Sequence, residues 1–189
     1  MSTIEFRGVR LRPMTILDQD LVLRWRSDQV IGRVMYSQIH DTNIDAQINW
    51  FRRISVSKSH EYWIIERRNS PIGVANLANI SFENSRADWA FYLGESQFRG
   101  TGVGAIVEYA IIHYVFSALK LNKLCCQVLS NNLDVAKMHR KFGFVDEGLL
   151  KKHFFRDGAW LDLFLFALWS AESMSRGYDK LLVTINDEY

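Results

Sequence analysis

At 189 residues, 48% hydrophobic and 13% aromatic, the chain is long enough to bury a core and reads as one globular domain. A net charge of +2 gives no electrostatic case for nucleic acid. The longest apolar run, residues 105–121, is interrupted by Glu108 and His113, so no membrane span is expected.

The opening residues, MSTIEFRGVRLR, lack the apolar stretch and small-residue cleavage site of a leader. Residues 9–12 alternate and end at Pro13, which predicts a first strand. Thr15 with Asp18 three residues on predicts a helix start. That helix runs over residues 16–27, with Leu17, Leu21 and Trp25 on one stripe and Leu23 beside it. Residues 28–40 are too apolar for an idle loop but carry no assigned element. Thr42 and Asn43 offer caps for a second helix over residues 44–54.

Residues 62–66 and 72–80 are strands joined by the turn chemistry of Arg67 to Pro71, so they form a hairpin. Residues 87–93 are the next strand, and residues 105–121 a buried helix. A strand over 123–129, a short helix over 133–141 and a strand over 144–148 or slightly beyond follow. Arg156-Asp157-Gly158 is a hairpin turn before a last strand at 161–168. Ser170 caps a final helix near 171–176, closed by Gly177, and the tail 178–189 has no assignment. The two cysteines, Cys125 and Cys126, are adjacent in a strand and face opposite ways, so they read as reduced thiols of a cytoplasmic protein. No Cys/His cluster has zinc spacing, and no metal is expected.

The chemistry concentrates between the strand at 87–93 and the buried helix, in Gln97-Phe98-Arg99-Gly100-Thr101-Gly102-Val103-Gly104. Three glycines let the backbone turn tightly and leave its N–H groups open. The helix start adds unpaired donors and the positive end of its dipole, and Arg99 adds a cation. This is a nest for a diphosphate. A P-loop would need Gly-Lys-Ser/Thr, but Ala105 follows Gly104. A dinucleotide site would need a ribose-binding acid about 20 residues on, where the chain reads LKLNKLCCQV.

Arg99, Gly102 and Gly104 do fit Arg-x-x-Gly-x-Gly, and here the chain resembles the GNAT superfamily of acetyl-CoA-dependent N-acetyltransferases, whose pyrophosphate loop has this form. A second motif supports the resemblance. Asn132, Lys141, Gly143 and Phe144 match, in register, the family pattern Asn-x-x-(small)-x-x-x-Tyr-x-Lys-x-Gly-Phe. The resemblance covers roughly residues 9–168. It implies a single α/β (α+β) domain over residues 1–189, with a core at 9–168 and a C-terminal helix and tail at 169–189. It implies a mixed, mostly antiparallel sheet of about six or seven strands with helices on both faces. The strand before the loop should bulge, a feature Gly94 would permit, and splay from its neighbour to admit the pantetheine arm. Leu93, Gly94, Phe98, Arg99, Gly100, Thr101, Gly102, Val103, Gly104, Asn132 and His139 would then bind acetyl-CoA.

Acetyl transfer to nitrogen needs a neutral amine, a thioester held at near-attack distance, donors for the oxyanion and a proton for the departing thiolate. Direct transfer in a ternary complex suffices, so neither cysteine is needed as a nucleophile. The family acid is a tyrosine seven residues after the motif asparagine, and that position is His139. Histidine, with an unperturbed pKa near 6.5, is a well-matched acid. The alternative is that His139 merely packs or touches the coenzyme. For the base, Tyr92 is one candidate and an ordinary strand aromatic is the other reading; Glu95 and His40 are conceivable through a water.

The acceptor half resembles one branch of the family, the acetyltransferases of the pseudaminic acid pathway. The residues concerned are Leu23-Arg24-Trp25-Arg26, Met35-Tyr36, Trp50-Phe51, Ile72-Gly73-Val74-Ala75 and Asp88-Trp89-Ala90-Phe91-Tyr92. That branch acetylates the 4-amino group of a UDP-linked 4-amino-4,6-dideoxy sugar for flagellin glycosylation. By the resemblance Arg26 would hold the nucleotide diphosphate, and Met35, Tyr36 and Tyr92 would line the sugar pocket. Plain core is the preferred reading of Trp25, and a solvated helix-end charge remains open for Arg26. A ribosomal-protein or polyamine N-acetyltransferase shares both coenzyme motifs, although residues 30–39 lack the acids a polyamine wants. A non-catalytic acyl-CoA sensor is the reading from another class. The expected partner is a small-molecule amine, with no nucleic acid and no membrane; the oligomeric state stays open, a homodimer included.

Overall fold

The computed structural model describes residues 1–36 and 43–171. Eight strands form one sheet in the order β1-β2-β3-β4-β5-β6-β8-β7. They are β1 Ile4–Phe6, β2 Val9–Pro13, β3 Glu61–Arg67, β4 Ser70–Ser81, β5 Arg86–Leu93, β6 Lys123–Leu129, β7 Val145–Arg156 and β8 Ala159–Trp169. Every neighbouring pair is antiparallel except β5 and β6, which run parallel. The helices are α1 Gln19–Arg26, α2 Gln29–Val34, α3 Ile44–Ser55, α4 Val103–His113 and α5 Leu133–Phe142.

The expected sheet of about six or seven strands gains β1, which is too short for a two-residue period to show. It turns back through Arg7 and Gly8, both at positive φ, to pair with β2. Strand β7 runs on to Arg156 and β8 begins at Ala159, so the predicted turn is right and the strands flanking it are longer. The apolar stretch after Asp28 forms α2, with the Asp28 carboxylate accepting from Val30 N–H at 2.7 Å. Asn43 caps α3 as predicted, accepting from Asp45 N–H at 2.9 Å. The predicted final helix near 171–176, the tail 178–189 and His40 lie outside the described residues.

Helices cover both faces because β3 and β4 are apolar on both. Trp63, Ile65, Ala75 and Leu77 pack with Val103, Val107 and Ile111 of α4. Ile64 and Val74 point the other way, to Val22 and Trp25 of α1 and Ile31 of α2.

The predicted α1 stripe is corrected. Leu17 is 88% exposed, whereas Val22 and Trp25 are 1% and 3% exposed. The cause is local. Residues Ile16–Asp18 form a 3₁₀ turn, so the 3.6-residue register begins only at Gln19. Asp18 is locked there, accepting from Thr15 N–H at 2.7 Å and from Arg12 Nη1 and Nη2 at 2.8 and 2.6 Å. Arg12 Nε in turn donates to Glu66 of β3 at 2.7 Å. The network ties α1 to the sheet. Burial opposes ionisation of Asp18, but its bonds to Arg12 and Thr15 prevail and hold its pKa below the ordinary value.

Two close approaches set the site's frame. The Trp25 ring lies on Gly94, where a Cβ would fall 2.3 Å from the indole. A Cβ on Gly73 would fall 2.2 Å from the backbone oxygen of Tyr92. Gly73→Ala should therefore force β4 from β5 and destabilise by about 1–3 kcal/mol. Urea denaturation should show a lower midpoint at unchanged m-value.

Candidate active site

Strands β5 and β6 pair at Arg86–Lys123, Ala87–Leu124 and Asp88–Cys125, and then part. Beyond that point residues 89–93 pair with β4 alone and residues 126–129 with β8 alone. The expected splay is present. The expected bulge at its mouth is present as well: past the regular ladder from Ala78–Asp88 to Gly73–Leu93, the N–H groups of Gly94 and Glu95 both donate to the Ile72 carbonyl, at 2.8 and 3.2 Å. The strands part because each follows its other neighbour.

The gap opens into two cavities. One, of about 490 Å³, is walled by Leu93, Arg99, Gly100, Gly102, Gly104 and Met138. The other, of about 340 Å³, is walled by Arg26, Trp50, Tyr62, Asn76, Gln127 and His139. Met35, Tyr92 and Asn132 line both, so the two share a wall.

The glycine loop has the form of an anion nest. Gly100 and Gly102 stand at φ +77° and +87°, and Gly102 caps α4. Among the described residues, the N–H groups of Gly100, Thr101, Gly102, Val103 and Gly104 donate to no backbone or side-chain acceptor. Five open amides at a helix start fit a diphosphate. Gly104 serves packing as well, since its missing Cβ would sit 3.3 Å from Phe91.

Arg99 takes a different part from the cation expected over the nest. Its Nε donates to the Leu93 carbonyl and its Nη2 to the Gly94 carbonyl, both at 3.1 Å. The guanidinium thereby fixes the end of β5 while lining the cavity. Phe98 and Val103 pack into the core, and Gly94 and Thr101 stand off the cavity wall. Thr101 Oγ1 donates to the Phe98 carbonyl at 2.8 Å, which shapes the loop from behind.

On the second cavity's wall, Arg26, Met35, Tyr36 and Tyr92 come together as the sequence suggests. The Arg26 guanidinium lies over Trp50 at 5.8 Å, and Tyr36 meets Phe154 edge-on at 4.9 Å. The Tyr92 hydroxyl is buried and has no hydrogen-bond partner. Burial pushes its pKa far up, against the pull of Arg26, so it stays a phenol. Glu95 is absent from both walls. It accepts from Trp25 Nε1 at 2.9 Å and ties α1 to the loop.

His139 is 3% exposed, on the wall of the second cavity rather than at the nest. Its Nδ1 sits 2.7 Å from Glu108 Oε1 of α4. Glu108 is fully buried, and burial drives its pKa up against the opposing pull of His139.

Sequence reasoning did not assign Trp50, Tyr62, Asn76 and Gln127 to the site. Asn76, a polar residue inside the apolar run of β4, was the available signal. It also passed over Arg156, buried at 7% exposure, whose Nη1 donates to the carbonyls of Gly32, Arg33 and Met35 at 2.7, 3.1 and 2.8 Å. Arg156 closes the open end of α2 and so holds Met35 at the shared wall.

If the open amides grip coenzyme, a side chain standing among them should weaken binding. Gly100→Val should raise the Kd for coenzyme A about tenfold or more by calorimetry. Gly158→Val, at φ +79° in the β7–β8 turn, carries the same backbone strain and should leave that Kd unchanged.

Comparison with known proteins agrees with this geometry. An uncharacterized N-acetyltransferase, p20 of Bacillus licheniformis, is 26% identical over 91% of this chain and 98% of its own. The acetyltransferase PseH of Campylobacter jejuni is 24% identical over 72% of this chain and 84% of its own. The solved spermidine N-acetyltransferase of Vibrio cholerae, in complex with CoA and spermine, superposes with a TM-score of 0.84 at 18% identity, covering 90% of this chain and 100% of that one. The family described as acetyltransferase (GNAT) domain matches residues 9–145. With that match over most of its length, the chain belongs to the GNAT acetyltransferase family and is an acyltransferase that uses acetyl-CoA.

Proposed function

We propose that this protein acetylates the amine of a neutral or anionic small molecule, with a UDP-linked 4-amino-4,6-dideoxy sugar as the specific candidate. The observation that carries the reading is the charge of the second cavity. Among its described lining residues there is no carboxylate, and Arg26 is the one side chain with a permanent charge. A polycation would meet a cation and find no counter-charge. A nucleotide diphosphate would meet a guanidinium suited to it. Met14, Met35, Tyr36 and Trp50 supply apolar contact for a deoxy sugar's methyl.

The roles follow from position. The amides of residues 100–104 hold the coenzyme's diphosphate, with Leu93, Arg99 and Asn132 along the cavity toward the shared wall. Tyr92, kept as a phenol by burial, offers its oxygen to the amine as a hydrogen-bonding guide rather than as a base. A sugar amine is weakly enough basic to arrive neutral. The amine nitrogen attacks the thioester carbon, the C–S bond breaks, and His139 supplies the thiolate's proton.

Polyamine acetylation is the second reading, supported by the fold shared with the spermine-bound relative. Incubation with acetyl-CoA separates the two. The UDP-amino sugar should release coenzyme and form product, with spermidine and peptide amines far slower. Product from polyamine or peptide alone would reject the sugar assignment, and no coenzyme release from any amine would favour a sensor. Arg26→Ala should raise KM for the nucleotide-linked amine about tenfold or more, with kcat little changed.

A further inference from the structure

We propose that Glu108 is a positioning residue for acetyl transfer: its carboxyl shares the proton at His139 Nδ1 and so keeps Nε2 protonated for the cavity that His139 lines. The inference rests on the acetyl-transfer reading above and assigns work to the one carboxylate of α4.

The pair is sealed. Glu108 is 0% and His139 3% exposed. Trp89 of β5, Phe144 and Phe166 of β8 surround the imidazole at ring distances of 5.4, 5.2 and 6.0 Å. Glu108 also acts on the Cys126 thiol of β6, which is buried and pushed well up by burial and by Glu108, so it stays neutral. Arg140, on the outer side of α5, is committed to Asp146 at 2.7 Å. Among the described residues Glu108 has one hydrogen-bond partner, His139, and its Oε2 has none.

A net charge on such a pair is costly. Two neutral forms place no proton on Oε2, where a buried O–H would have no partner. A carboxylic acid can donate to Nδ1 of a neutral imidazole, or a carboxylate can accept from an imidazolium. Both carry a proton on Nε2. The remaining form, a carboxylate facing Nδ1–H of a neutral ring, holds one negative charge and leaves Nε2 bare. Burial disfavours it, and with it any role for His139 as a base. The environment therefore makes His139 a donor, which is what the departing thiolate needs.

The protons balance. The amine nitrogen bonds to the acyl carbon, the sulfur leaves with its electron pair, and Nε2 gives its proton to that sulfur. The Glu108 proton, where it rests on oxygen, moves to Nδ1. The proton lost by the acylated nitrogen, passed through solvent, restores the pair. One N–H is lost and one S–H is gained.

Nitrogen-15 spectra of histidine-labelled wild-type protein read the tautomer without turnover. At neutral pH His139 should show a protonated Nε2; a bare Nε2 would overturn the proposal. Glu108→Gln keeps the shape and can donate to Nδ1, but it cannot pass a proton. Its kcat should fall about 100-fold with both KM values little changed. Only an imidazolium could then donate, and without its counter-charge it loses its proton sooner, so the alkaline limb of kcat should move to lower pH. His139→Phe added to Glu108→Gln should cause little further loss. Wild-type kcat and an unchanged pH profile in folded Glu108→Gln would also overturn the proposal. Failure of every amine in the wild type would sink the acetyl-transfer reading instead, and leave the tautomer result standing.

Discussion

Three residue pairs of parallel ladder, and then none, govern this molecule. Backbone N–H and C=O groups in an interior must find partners. Where β5 and β6 part, their facing edges lose each other, and the structure must leave room for something else to satisfy them. Each strand is held away by the opposite neighbour, β4 for one and β8 for the other. The gap is thus a property of the whole sheet, not of one flexible residue.

The surrounding polar contacts keep that gap in shape. Arg99 bonds the carbonyls at the end of β5, Trp25 rests on Gly94 and bonds Glu95, and Arg156 closes α2 behind Met35. These bonds are made within the protein, so the loop amides at residues 100–104 are left as the open donors at the mouth. The same logic separates the two cavities by chemistry. The first is rimmed by backbone donors, and the second by aromatic rings, a guanidinium and an imidazole.

Much of this was legible in the sequence. Arg99, Gly102 and Gly104 announced the nest, because glycine reaches without steric cost the left-handed conformation that Gly102 adopts. Gly143 and Phe144 announced the end of α5. The glycine sits at φ +95°, and Phe144 is buried directly beyond it. The splay follows from family resemblance, whereas its cause does not, since pairing to β4 and β8 is long-range. The α1 stripe was misplaced because a capping bond turned residues 16–18 into a tighter helix. Glu108 read as an interruption in an apolar run. Its meaning depends on a histidine 31 positions away, which no local period reveals.

The central claim is that the open amides of the glycine loop hold the coenzyme at the mouth of the β5–β6 gap. Amide proton–nitrogen spectra recorded while coenzyme A is titrated in test it most directly. The account predicts saturable shifts at residues 100–104 and at Leu93, larger than anywhere outside the cleft. Spectra that do not change, or changes confined to another face of the protein, would contradict it.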